Sequence, residues 1–510
     1  MDAAAEETID VRQQSPAEVR PAPVRGRLVS FLIPLLLALA LGLWGVTRHG
    51  TMWRDESVTY QVAHRGVFDI GRLLGSADAV HGLYYLLMHG LFGVWDGGLL
   101  TLRLPSVLAA AVSAGCVGLI ACRLAGVRAG LLSGVVFCVL PEVQMYAQEG
   151  RSYALVCALV AFATYVLVRA LTGASRLLWA VYSAAVLLAC WLHEFAVLAL
   201  LGHAAAVLHP SVPRHVRRAW AAAAGTVAAG AAPLAVFSMG QSAQVSWIGS
   251  PKPGEWLEIS AVALLALLCA RWLSAGRASA PPHRPLLCRL ALPLALAPTA
   301  ALLLASLYEP MYVDRYVLYV NIGLALLVGT AADAVLAKGS APLPLRTRAH
   351  RRVALPVLIG GVVLALLPVT LQLRTPDSRK DDLTAIAEAV ERVSGQGDAV
   401  VFTPARRREW RLSYAQEYDG LVDLALKRDP AESGTLQGEE HPAAEIRRRM
   451  LAATRIVVLS DPPDQPEDAA GQELTKREVL RHHFVPCART RVKGAQVTLY
   501  ARPGACGPRS

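Results

Sequence analysis

Two acidic side chains stand side by side at Asp55 and Glu56, in the run Trp53-Arg54-Asp55-Glu56-Ser57 that follows the first apolar segment. A carboxylate there can take a proton from an attacking hydroxyl, the work of a general base. Three more polar clusters interrupt long apolar stretches: Gln148-Glu149-Gly150-Arg151-Ser152-Tyr153, His193-Glu194, and EPMYVDRY from Glu309 to Tyr316. Ionisable groups at membrane depth are expensive and face a cavity or one another. Arg151 and Arg315 each lie in a charge-poor stretch beside aromatic residues, which favours a binding role. A guanidinium fork can hold a phosphate through two hydrogen bonds. Glu309 reads as an ordinary loop residue, and His193 is balanced between ligand and helix cap. The plain alternative for Asp55 and Glu56 is a pair of charges marking a helix end. The other clusters weigh against it, because all of them return to the same side. Carboxylates meeting cations beside a bilayer suit chemistry on a phosphate joined to a lipid tail.

The elements that must position these groups are membrane-spanning helices. Leu28–Val46 is uncharged and close to the ~20 residues that a span requires. Ten further candidates follow, at Leu104–Cys122, Gly130–Tyr146, Ser152–Val168, Leu177–Leu192, Phe195–Leu208, Ala219–Met239, Trp256–Leu273, Leu290–Leu307, Tyr316–Ala337 and Val353–Leu371. The expected fold class is therefore an α-helical polytopic membrane protein of about eleven transmembrane helices. Composition agrees: 17% charged residues and a mean hydropathy of +0.40 are unlike a soluble chain, which carries about a quarter charged residues. The net charge of +11 is no sign of nucleic-acid binding, since the basic residues lie in short loops between spans.

The segment His81–Trp95 (HGLYYLLMHGLFGVW) is apolar but short, which suggests a piece lying at the interface. If it does not span, the loops at 123–128, 169–176, 214–218, 271–289 and 338–352 share one side and hold sixteen Lys and Arg. The opposite loops between 147 and 315 hold only Arg151, Lys252 and Arg315. The positive-inside rule then puts the N-terminus in the cytoplasm. Residues 1–27 read as a disordered cytoplasmic segment, 28–372 as the membrane domain, and 47–103 as a long first extracytoplasmic loop lying on the bilayer. The break at His193-Glu194 is either a tight hairpin or a polar interruption of one apolar stretch.

After Leu371 the chain turns charged and soluble. Lys380–Val393, Pro442–Ala453 and Gln472–Phe484 read as helices; Asp398–Pro404, Arg455–Asp461 and Gln496–Arg502 read as strands. Alternation of the two predicts a small α/β domain over 373–510, on the extracytoplasmic side of the cell membrane. Six of nine cysteines lie in apolar runs, and no spacing suggests a zinc site. Cys487 and Cys506 flank the last expected hairpin, where a disulfide and two unpaired thiols are equal alternatives.

At this point the chain resembles the bacterial relatives of the dolichyl- and polyprenyl-phosphate-mannose protein mannosyltransferases, integral-membrane glycosyltransferases of GT-C fold. The matching pieces are Asp55-Glu56, the His81-Gly82-Leu83-Tyr84 run, and Leu102-Arg103-Leu104-Pro105-Ser106. Further on come Tyr146 to Leu155, His193, and Asp314-Arg315-Tyr316. The likeness is strongest over residues 50–200. Gly82-Leu83 replaces prolines usual in the family, and Gly150 stands where the family often has alanine. The resemblance implies transfer of mannose or a similar sugar from a polyprenyl-phosphate donor, with inversion, to an extracytoplasmic hydroxyl on a glycan, lipid or protein. It implies Asp55 as general base and Glu56 as a second active-site carboxylate. It further implies substrate contacts from His81, Tyr84, Arg103, Gln148, Glu149, Arg151, Tyr153, His193, Asp314, Arg315 and Tyr316. Some relatives bind a divalent cation; Glu149 and His193 are candidates, but two ligands do not make a metal site.

A transporter or lipid flippase is the main competing class. Transport sites lie near the midplane between repeated halves; here the charges gather at one face and no repeat is found. An inactive member acting as an assembly partner is a third reading, against which the intact Asp55 argues.

Overall fold

The structure is a computed structural model that describes residues 23–173, 175–241, 248–275, 283–338, 360–361, 364–463 and 465–507. Among the described residues, helices α1 to α14 are Val24–Leu43, Arg54–Ala63, Val67–Ser76, Gly82–Val94, Leu99–Ala125, Val127–Val139, Pro141–Ala147, Tyr153–Ala170, Arg176–Leu192, Ala199–Val207, Arg214–Met239, Pro253–Ala275, Arg284–Ala305 and Val320–Lys338. Among the described residues seven helices are long and apolar enough to cross a membrane, or eight with the bent pair α6–α7. The protein is a multi-pass membrane protein. The expected count of eleven differs for reasons of length. Leu177–Leu192 falls in α9, of 17 residues, and Phe195–Leu208 in a 3₁₀ turn (Glu194–Leu198) followed by the short α10. The candidate span at 353–371 lies largely outside the described residues, as does most of the expected disordered segment 1–27; α1 itself begins at Val24.

Local chemistry accounts for the breaks. Leu140 takes an extended conformation before Pro141, which ends α6, and α7 restarts with that proline at its first turn, bent by 65°. The segment 79–94 forms a 3₁₀ turn and α4, together too short to span. Helix α5 is the central post, packed against α1, α6 and α8. At Gly118 a side chain would overlap the Ser30 carbonyl, so glycine is what lets α1 and α5 approach.

The C-terminal part is an α/β unit. Its strands are β1 (Ala399–Thr403), β2 (Val422–Asp423), β3 (Leu426–Arg428), β4 (Glu439–Glu440), β5 (Arg455–Ser460), β6 (Val485–Val492) and β7 (Ala495–Ala501). Five form one sheet in the order β2-β1-β5-β7-β6, with β1 parallel to β2 and β5, and β7 antiparallel to β5 and β6. Alternating residues of β1 and β5 serve two cores. Val400, Phe402, Val457 and Leu459 pack with α15 (Leu383–Val393), while Val401, Ile456 and Val458 pack with Ile446, Met450, Val479 and Leu480 on the other face.

Cys487 and Cys506 form a disulfide that ties β6 to the tail after β7; the other seven cysteines take part in no disulfide. Protein taken from its native compartment should therefore show seven alkylatable cysteines when denatured without reductant and nine after reduction. Nine without reductant would contradict the bridge.

Candidate active site

Helix α2 carries both acids in its first turn. Successive helical residues point about 100° apart, so Asp55 and Glu56 cannot face the same way. Glu56 turns inward and is fully buried. Its Oε1 accepts from Arg103 Nε at 2.7 Å and from the Gly150 N–H at 3.0 Å. Its Oε2 accepts from Arg103 Nη2 at 2.7 Å and from Arg48 Nη2 at 2.5 Å. Burial opposes the charge, but Arg103 and Arg48 outweigh it and draw the carboxyl down to about 2. Arg103 also donates from Nη1 to the Val46 carbonyl and from Nη2 to the Thr51 carbonyl, both at 2.6 Å.

Three of the expected substrate contacts, Arg103, Gln148 and Tyr84, are buried inside the protein in the structure, as is Glu56. Glu56 and Arg103 are a buried framework pair, and four hydrogen bonds fill the acceptor sites of the carboxylate. Gln148 is buried too, its Nε2 donating to the carbonyls of Gly42 and Trp44 at the end of α1. Tyr84 lies fully buried in the apolar core. Gly150 is also fixed by packing, for a Cβ there would overlap the Leu102 side chain.

Asp55 points the other way, half-buried, and its Oδ2 accepts from Arg315 Nη2 at 3.3 Å. Arg315 also donates through Nε to the Tyr153 hydroxyl at 3.2 Å. Its guanidinium lies 5.8, 5.7 and 5.8 Å from the ring centres of Trp53, Tyr153 and Tyr316. The Arg315 N–H donates to Asp314 Oδ1 at 2.8 Å, and Asp314 Oδ2 accepts from the Tyr146 hydroxyl at 2.9 Å.

The second cation, Arg151, contacts His81 Nε2 through Nη2 at 2.7 Å. A guanidinium can only donate, so Nε2 accepts and the ring proton sits on Nδ1. The His193 ring lies 4.6 Å from Tyr316 and 5.9 Å from His81. Burial together with Arg151 and Arg315 pushes His193 down to about 3, and His81 well below its ordinary value, so both rings are neutral at pH 7. The Nδ1 atoms of both histidines, Arg151 Nε and Trp53 Nε1 are buried with no hydrogen-bond partner among the described residues. Burial also opposes the charge on Asp55, yet Arg315, Arg151 and Arg54 hold its carboxyl below the usual range.

Glu149 is buried, with neither carboxylate oxygen hydrogen-bonded; Arg379 Nε is 3.6 Å away. Burial raises its carboxyl to about 7, with Arg379 and Arg315 pulling the other way. Glu149 faces Arg379 while His193 faces Arg151 and Arg315, and among the described residues no three His, Cys, Asp or Glu side chains are placed to share a metal ion. The donor set does not fit a bound divalent cation.

Sequence reasoning missed what the C-terminal side contributes. The Arg54 N–H donates to Asp381 Oδ1 at 2.9 Å, and Arg54 Nε lies 3.5 Å from Glu409 Oε1. Arg379, Lys380 and Asp381 come in one run, and that dense charge just past the last apolar stretch was the available signal.

No family model and no curated protein matches the sequence. Solved structures do. ArnT from Cupriavidus metallidurans bound to undecaprenyl phosphate superposes with a TM-score of 0.55 at 14% identity, over 96% of this chain and 100% of that one. The same protein in its apo state gives 0.53 at 12% identity, over 94% and 98%. The Archaeoglobus fulgidus oligosaccharyltransferase in its apo form gives 0.51 at 10% identity, over 85% of this chain and 69% of that one. The chain has their fold, a GT-C-like bundle of spanning helices with a C-terminal α/β region.

Two outcomes are expected. Glu56→Gln or Arg103→Lys should cost ~3–5 kcal/mol, the price of breaking a buried pair, seen as loss of folded protein after extraction; a normal melting temperature would contradict this. Glu149, raised from 4.5 to about 7, binds a proton more tightly folded than unfolded. Its stabilising contribution is whole below pH 4.5 and is lost as pH rises through about 7, so Glu149→Gln should flatten the fall in melting temperature over that interval.

Proposed function

We propose that this GT-C-like protein is a glycosyltransferase that moves a sugar from a polyprenyl-phosphate donor to a hydroxyl acceptor, with inversion at the anomeric carbon. The sugar is mannose or a similar hexose or pentose, and the acceptor a glycan, lipid or protein on the extracytoplasmic side. One observation carries the reading. Asp55 faces Arg315 and Arg151, backed by two neutral imidazoles with unpartnered ring nitrogens, in loops between the spanning helices. That is a cradle for a phosphate with a base at its edge. The fold shared with ArnT, solved with undecaprenyl phosphate bound, supports the donor class.

In the reaction, the acceptor oxygen attacks the anomeric carbon while Asp55 takes its proton. The bond from that carbon to the phosphate oxygen breaks, and the electron pair leaves with polyprenyl phosphate. Arg315 and Arg151 meet the charge that grows on the departing oxygen, with His81 and His193 as neutral donors beside them. Tyr153, Tyr316 and Asp314 hold Arg315 in place. In the structure Asp55 is an anion on Arg315. The donor phosphate replaces it there and releases the carboxylate to act as base.

The Lys and Arg distribution supports a cytoplasmic N-terminus, with residues 28–372 as the catalytic membrane domain and 373–510 outside the cell membrane. The Cys487–Cys506 bridge favours the same, since disulfides persist in oxidising compartments. A reporter fused after Arg374 should be active only outside; activity in the cytoplasm would reverse the orientation.

The test of function is release of polyprenyl phosphate from a panel of decaprenyl-phosphate hexoses and pentoses. Asp55→Asn should lower transfer ~10²–10⁴-fold, the usual worth of a general base. Its donor affinity should hold or improve, because the competing anion is gone. Arg315→Lys, correctly inserted, should lose most turnover since an ammonium cannot reproduce the fork. Wild-type rates in both variants would reject the reading.

A further inference from the structure

The helices that bring groups to Asp55 carry a second set of charges at their other ends. Arg103 and Arg123 both lie on α5, and the turns between them span ~30 Å at 1.5 Å per residue, the thickness of a bilayer's hydrocarbon layer. Arg123 Nη2 donates to Thr172 Oγ1 at 2.8 Å, just past the end of α8. Arg169, in the last turn of α8, and Arg27, in the first turn of α1, face the Arg123 guanidinium. Arg123 in turn faces His283, the N-cap of α13, and Arg284 begins that helix. Three nitrogens of this group, Arg123 Nε, His283 Nε2 and Arg284 Nε, are shut off from water with no hydrogen-bond partner among the described residues. Asp333, near the end of α14, is taken by Arg128. The stretches 23–27, 123–128, 169–176, 211–218 and 283–289 contain no Asp or Glu.

An excess of cations is what the positive-inside rule alone would leave at one face of a membrane protein. The buried nitrogens are not explained by it, because a donor kept from water without an acceptor is costly. The first turn of α13 adds to the imbalance. Its N-cap, His283, makes no side-chain capping bond, so the positive pole of a 22-residue helix is open at the same place. An occupant must carry negative charge, offer several acceptor oxygens and sit at the headgroup level of a bilayer. A phospholipid phosphate meets all three requirements. We propose that Arg123, His283 and Arg284 hold the phosphate of an anionic phospholipid between the ends of α5, α8 and α13, with Arg27 and Arg169 at its rim. His283 donates from Nε2 in the tautomer that carries its proton there. The lipid joins helix ends at the level away from the candidate active site, and the inference does not depend on what that site transfers.

The test uses the purified full-length protein, stripped of lipid in a neutral detergent and titrated with dioleoyl-phosphatidylglycerol. Native mass spectrometry should show a single lipid retained on each chain, and the melting temperature should rise as it binds. Dioleoyl-phosphatidylcholine and inorganic phosphate at the same concentrations should do neither. Choline sets a cation against the arginines, and a free ion lacks the acyl chains that hold a headgroup at this level. In Arg123→Gln/Arg284→Gln the apparent affinity for phosphatidylglycerol should fall at least ~10-fold, as the loss of two cations facing a lipid phosphate implies. Arg214→Gln/Arg218→Gln removes equal charge from the start of α11, at the same end of the bundle, where Arg289 of α13 donates to Ser211 at 3.2 Å. That pair should bind as the wild type does. Equal losses in the two pairs would mean a diffuse attraction to a basic face and would overturn the proposal. Equal stabilisation by phosphatidylcholine would overturn it too, and so would stabilisation by inorganic phosphate, which would make the occupant a free ion. Should the first pair fail to fold, the wild-type protein decides the matter with a phosphatidylglycerol carrying a photoreactive headgroup. Cross-links at the end of α5 and the start of α13 support the site; cross-links confined to other segments overturn it.

Discussion

A carboxylate shut off from water must be matched by donors, and the structure is built around the matching of Glu56. Four hydrogen bonds reach its two oxygens, from Arg103, Arg48 and the Gly150 amide. Those donors come from the entry of α5, the segment after α1 and the turn before α8. One buried anion thus gathers three parts of the membrane domain at one level. Its desolvation is costly, and only this number of close, charge-assisted bonds repays it. No single one of the connected segments can shift without stranding a charge.

Fixing Glu56 fixes its neighbour. With Glu56 turned to the interior, the helical rotation between adjacent residues carries Asp55 toward Arg315. Arg315 is itself confined by a tyrosine hydroxyl, an adjacent aspartate and three aromatic faces. A guanidinium among aromatic rings keeps its charge while losing water, which strengthens its pull on an anion. Arg151 and the two neutral histidines complete a positively biased recess. The α/β unit closes the arrangement from the far side, where Asp381 and Glu409 engage Arg54.

The sequence made the membrane class, the soluble α/β tail and the convergence of Asp55, Arg151, His193 and Arg315 legible, because long apolar runs and isolated charges within them are strong signals. Strands β1, β5 and β7 were readable from their apolar runs. Strand β6 was not, since VPCARTRV carries alternating charge and is largely exposed along its length. Span number was less legible, because hydropathy windows do not register where α9 ends at 17 residues or where Pro141 bends a helix. By residue type alone Asp55 and Glu56 could not be told apart; the family resemblance chose Asp55, and the rotation of α2 separates the two in space. Arg103 and Gln148 looked like ligands because a polar residue in an apolar stretch looks the same whether it serves a substrate or a backbone carbonyl. The charged run at 379–381 marked Asp381 but not its partner, and Glu409 was out of reach, since contacts more than 300 residues apart leave no local pattern.

On the proposed function, Arg315 changes partners, from Asp55 to the phosphate of a lipid donor. The most direct measurement is an experimental structure of the protein in lipid nanodiscs with decaprenyl phosphate bound. The account predicts the phosphate between Arg315 and Arg151, the Asp55–Arg315 contact opened, the Glu56–Arg103 pair unchanged, and Asp55 turned to the face where an acceptor hydroxyl would enter. A phosphate bound elsewhere, with Asp55 still on Arg315, would contradict it.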